Sequence, residues 1–73
     1  MSDWIYVFDE MPEENDVYLV AWKSDSCDRT FIGICEFTED EGFILNTLQA
    51  YEYFKNDNIV VTHWMPLPDA PTE

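Results

Sequence analysis

Basic residues are nearly missing from this chain: Lys23, Arg29 and Lys55 stand against sixteen Asp and Glu, giving a formal net charge of −13. Contact with DNA, RNA or an anionic bilayer needs clustered Lys and Arg that displace counterions, and three scattered bases form no cluster. Direct nucleic-acid and membrane binding are therefore excluded from the reading, and the expected partner is a protein with a basic surface. Glycine is also scarce. Gly33 and Gly42 are the only two, too few for a phosphate-cradling loop. The single histidine, His63, together with Cys27 and Cys35, lacks the paired ligand spacing of structural zinc modules, so neither a metal nor a cofactor is expected.

The two cysteines flank "DRTFIGI" and make no CxxC motif. No long apolar run follows Met1, since "MSDWIYVFDEMPEEN" turns acidic at once; neither a signal peptide nor a membrane span is expected. A reducing cytoplasm with free thiols follows, Cys35 being a small core residue and Cys27 an exposed one. Nucleophilic catalysis needs a Ser or Cys held against an oriented base. Ser2, Ser24 and Ser26 lie in polar stretches read as mobile, and a chain of 73 residues has little room for a cleft that tunes carboxylates, so no catalytic residue is assigned.

What is present is apolar material for one small β domain spanning 1–73. Four β-branched and aromatic segments separated by acidic breaks suggest an antiparallel sheet or partly open barrel of four to five strands. "WIYVF" (Trp4 to Phe8) reads as the first strand and "VYLVAWK" (Val17 to Lys23) as the second. Both alternating faces of the second are apolar, which predicts a central strand covered on both sides. "TFIGICEF" (Thr30 to Phe37) opens a hairpin to Asn46, with Gly33 read as a bulge or tight bend. A short helix is expected near residues 47–56. "IVVTHW" (Ile59 to Trp64) is the last strand, ended by prolines, and residues 69–73 are expected to fray.

The segment "VVTHWMPLPDAP" (Val60 to Pro71) concentrates rare residues. Its first reading is structural. His63 shares a strand face with Ile59 and Val61 as a half-buried, hydrogen-bonded histidine, and Trp64, Met65 and Leu67 form a proline-stiffened lid. The functional alternative is a small-ligand, nucleotide-like site in which Trp22, His63, Trp64 and Met65 surround a base. A further alternative is an assembly component whose Pro-rich end docks on a partner protein or a copy of itself.

"WIYVFDEMP" at Trp4 to Pro12, then "VYLV" at Val17 to Val20, and "VTHWMPLPDAP" at Val61 to Pro71 resemble the opening and closing motifs of the domain of unknown function 551 family. The resemblance covers essentially the whole chain. It implies a small protein encoded by a bacteriophage or prophage, working in the host cytoplasm, and it carries no catalytic residues over. Met11 stands where that family commonly has leucine, a volume-conserving change, and Glu10 where a basic residue is common.

Strongly acidic phage accessory proteins of this size are often inhibitors of host nucleic-acid-binding proteins, with carboxylates standing where phosphates would sit. The leading expectation is thus a non-enzymatic inhibitor of a host protein, such as a defence factor, acting as a DNA mimic; a homodimer is compatible with it. The acids expected to make the contact are Asp9, Glu10, Glu13, Glu14 and Asp16 in the first turn, and Glu36, Glu39, Asp40 and Glu41 around the hairpin, provided that both turns emerge at one end of the sheet.

Overall fold

The computed structural model describes residues 3–68, so the tail expected to fray lies outside the described residues. Five strands form one open antiparallel sheet: β1 (Ile5–Tyr6), β2 (Asp16–Ser24), β3 (Thr30–Thr38), β4 (Gly42–Ile44) and β5 (Ile59–Pro66), in the spatial order β1-β5-β2-β3-β4. A 3-10 turn (Leu45–Thr47) and the one-turn helix α1 (Tyr51–Phe54) follow β4, in the region where a short helix was expected. The sheet does not close into a barrel; its edges are the short β1 and β4.

Of "WIYVF", strand β1 takes in Ile5 and Tyr6. Beyond Tyr6 the chain curls back, with Asp9 N and Glu10 N both donating to the Tyr6 carbonyl at 2.9 and 3.2 Å. The hairpin is regular through Thr38↔Gly42, where Gly42 takes φ 75°, a left-handed conformation that favours a residue without Cβ. It closes at Ile44, and Asn46 belongs to the 3-10 turn instead. β5 runs on to Pro66, opposite Tyr18, before the ladder ends.

Alternation along β2 sends Tyr18, Val20 and Trp22 inward, and the register adds Cys35 and Phe37 of β3 and Trp64 of β5 to the same side. Leu48, Tyr51 and Phe54 cover this face. Aromatic packing fills it: Trp22 stacks on Phe31 at 4.7 Å between ring centroids and makes a T-shaped contact with Phe54 at 5.5 Å, while Tyr18 meets Trp64 at 5.1 Å. Val20 and Cys35 have no exposure at all.

Gly33 makes no bulge. It pairs regularly with Val20, and Leu48 and Trp22 lie over its bare Cα. The irregularity lies in β5, where the register passes from Ala21↔His63 to Trp22↔Val61 and leaves Thr62 as an extra residue. The Thr62 hydroxyl donates to the Ala21 carbonyl at 3.2 Å, and the Thr62 carbonyl accepts from Val7 N at 3.0 Å. This extra residue shifts the phase of alternation. Ile59, Val61 and Trp64 all reach the core, and His63 takes the opposite face, not the one it was expected to share with Ile59 and Val61.

β2 is central, as its two apolar faces indicate, but only one face is covered. On the other lie Val17, Leu19 and Ala21 of β2, flanked by Ile32 and Ile34 of β3 and by His63 and Met65 of β5. Ile32 is 66% exposed and Ile34 50%. A chain of this length supplies one covering layer, from residues 45–54, and among the described residues none for the second face.

Candidate functional site

The two acidic turns meet. β2 begins at Asp16, directly across from Phe37 near the end of β3, so the segment entering β2 and the β3–β4 turn leave the sheet at the same end. The Glu39 backbone N–H donates to the Asn15 side-chain carbonyl at 2.8 Å and ties one turn to the other. Each turn is also held from within. The Tyr18 hydroxyl donates to the Glu14 carbonyl at 2.9 Å, Asp16 accepts from Val17 N through its own carboxylate at 2.8 Å, and Thr38 Oγ1 accepts from Glu41 N at 3.2 Å.

These anchors use mainly backbone groups and leave carboxylates available. Glu13, Glu14, Asp16, Glu39, Asp40 and Glu41 are exposed, and among the described residues the one ion pair is Lys55 with Glu52 at 3.3 Å, on α1. Burial pushes the Tyr18 phenol above its ordinary value, and the nearby Asp16 and Glu14 charges push it the same way.

Not every predicted acid joins this end. Asp9 and Glu10 stay beside Tyr6, because β1 runs in the same direction as β2 and its exit lies toward the other end of the sheet. Glu10 contributes its backbone instead, accepting from Trp64 Nε1 at 2.8 Å. Glu36 is at the acidic end but on the uncovered sheet face, opposite Val17 and Ile44.

The residues of the ligand alternative are divided between faces. Trp22 and Trp64 are buried in the core, whereas His63 and Met65 lie half-buried on the opposite side. His63 packs against Tyr6 at 5.3 Å, and its Nδ1 is 2.9 Å from Thr62 Oγ1. A surface depression of about 390 Å³ lies elsewhere, lined in part by Ile44, Leu45, Tyr51 and Ile59. The four residues therefore do not surround one ligand.

One polar cluster was not legible in the sequence. Ser24 is buried at the end of β2, and its hydroxyl donates to Asp57 Oδ2 at 2.8 Å; the Ser26 hydroxyl donates to the same oxygen. Asp57 is held below the ordinary carboxylate range, chiefly by the Ser26 bond and then by the Ser24 bond. Asp25 joins the same loops by accepting from Asn58 Nδ2 at 3.1 Å. These serines are thus fixed, contrary to the expectation of mobility, and the separation of over thirty residues left no local signal for the cluster. Its bonds clamp the β2–β3 loop to the segment after α1. Cys27 is half-buried, more enclosed than expected. Among the described residues no three His, Cys, Asp or Glu gather as metal ligands, and no helix is long and apolar enough to cross a membrane.

Residues 3–72, nearly the whole chain, match the model of the family described as Protein of unknown function (DUF551). Neither the comparison with curated proteins nor that with solved structures gives a match.

Proposed function

The chain belongs to the DUF551 family, and we propose that it is a non-catalytic phage accessory protein that binds and inhibits a host protein through the acidic end of its sheet. The site fits a basic groove of the kind that otherwise holds DNA or RNA. A folded polyanion gains from such a groove the same steering and counterion release as the nucleic acid it displaces. The observation that supports this reading is the Asn15–Glu39 hydrogen bond, which makes one carboxylate-rich surface from two turns that are far apart in the chain. Glu13, Glu14, Asp16, Glu39, Asp40 and Glu41 are the contact residues of the proposal. Asp9 and Glu10 fall outside it, and Glu36 sits at its margin.

The test is affinity capture on the immobilised protein from bacterial lysate at low salt, followed by competition of each captured protein with duplex DNA. Captured proteins are expected to elute as salt rises, to lose their DNA when the acidic protein is added, and to be lost by a variant carrying Glu13→Lys, Glu14→Lys, Asp40→Lys and Glu41→Lys. Capture that is insensitive to salt, or unchanged by the four reversals, overturns the reading.

A further inference from the structure

We infer that the uncovered face of the sheet is a self-association surface, on which a second copy of the chain packs face to face with its strands antiparallel. This goes beyond the proposed function, since it uses a different surface and needs no other protein.

The face is self-complementary in shape. Its centre lies on β2 at the level of Val20, because Ala21 pairs with Ile32 and His63 while Leu19 pairs with Ile34 and Met65. A two-fold axis in the interface, perpendicular to the strands at that level, exchanges these two rows. Ile32 of one copy then opposes Ile34 of the other, His63 opposes Met65, and the small Ala21 receives the larger Leu19. Pairing a small residue with a large one is how packed sheet faces interdigitate.

The charges on the face obey the same axis. Lys23 and Glu36 are the charged side chains of β2 and β3 that share this face, and they stand at its opposite ends, Lys23 opposite Thr30 and Glu36 opposite Val17. Neither has an ion-pair partner among the described residues. The two-fold operation carries Lys23 to the level of Val17 on the second copy, one strand away from Glu36. Sheets pack about 10 Å apart and strands lie about 4.8 Å apart, distances that a lysine and a glutamate reaching toward each other span. Two such pairs form, one at each end. The arrangement also sends the two acidic ends to opposite extremes of the dimer, where repulsion between chains of charge −13 is smallest.

The size fits a modest affinity. Three strands of eight or nine residues, at about 4.8 Å spacing and about 3.3 Å rise, present roughly 400 Å² in projection. Tyr6 and the exposed Phe8, whose rings meet at 5.4 Å, extend it at the β1 edge. Two copies then bury about 1,000 Å² in all, where specific interfaces begin.

Sedimentation equilibrium on the purified chain, from about 1 μM to about 1 mM at about 0.15 M salt, tests the inference. The mass is expected to climb from 8.6 kDa toward twice that value. Ile34→Lys, at a position 50% exposed in one copy, is expected to hold the chain as a monomer with unchanged circular dichroism. Lys23→Glu is expected to raise the dissociation constant about tenfold, and the double variant Lys23→Glu with Glu36→Lys, whose net charge equals that of the wild type, to bring it back to within about threefold. A wild-type chain that stays at 8.6 kDa throughout overturns the inference. Dimerisation that survives Ile34→Lys, or a double variant no better than the single, overturns it as well. None of these outcomes depends on whether a host protein binds the acidic end.

Discussion

Asn15 and Glu39, 24 residues apart, meet through a 2.8 Å hydrogen bond in which the Glu39 backbone N–H donates to the Asn15 side-chain oxygen. It holds two turns rich in like charge against each other. Asn15→Ala should therefore cost about 1 kcal/mol, the usual net value of one such bond. The loss should be larger at low salt, where unscreened repulsion pulls the turns apart. Urea titrations of both proteins at two ionic strengths measure it, and a cost independent of salt would show that the turns stay together without the bond.

The whole chain should respond to salt in the same sense. Among the described residues, the six exposed carboxylates at one end form no ion pair, so added salt screens mainly repulsion there. The melting temperature is expected to rise as salt increases from near zero. A steady fall would mean that the acids are already stabilised by attraction.

Asp57 sets an acid limit at the opposite end of the sheet. Its carboxyl is lowered in the folded state by the Ser26 and Ser24 hydroxyls, so its contribution is present above the ordinary carboxylate range and is lost as pH falls through the folded value. Asp57→Asn should lower the melting temperature at neutral pH. The difference from wild type should narrow once pH drops below about 4. A difference that is flat with pH contradicts the assignment.

Gly33 is expected to tolerate alanine. A Cβ built there lies 3.7 Å from both Leu48 Cδ2 and Trp22 Nε1, an ordinary contact, and the residue pairs regularly within β3. Gly33→Ala should be neutral or stabilising by up to about 1 kcal/mol, through reduced freedom of the unfolded chain. Thermal unfolding reads the sign; marked destabilisation would reveal a bend that the register does not contain.

The two thiols should differ in reactivity. Cys35 has no exposure and burial pushes its pKa up, while Cys27 is half-buried in a loop. A thiol reagent is expected to label Cys27 in the native protein and Cys35 only at the rate of unfolding. Equal rates would place Cys35 outside the core.

Much of the architecture was legible locally. β-Branched and aromatic runs between acidic breaks marked β2, β3 and β5, and Glu39, Asp40 and Glu41 marked the hairpin turn, because strand composition and turn chemistry are written in neighbouring residues. The face of His63 was not legible, since one extra residue at Thr62 inverts the alternation and only the partner strand reveals it. The ligand alternative failed on the same point: it grouped Trp22 and Trp64 with His63 and Met65, which the bulge and pleat send to opposite sides. Ser24, Ser26 and Asp57 were missed because their contact spans more than thirty residues.

The sequence by itself determined the class of the protein: a small antiparallel β domain, short of bases and glycines, with its acids gathered in two turns. Those features follow from composition and from periodicities that each residue shares with its neighbours. Tertiary structure alone decided that the turns share one end, that Asp9 and Glu10 stay apart from them, and that one apolar face of the sheet stays open. These depend on strand order and register, which arise from pairing between distant segments, and on a chain whose described part supplies a single layer for a sheet with two apolar faces.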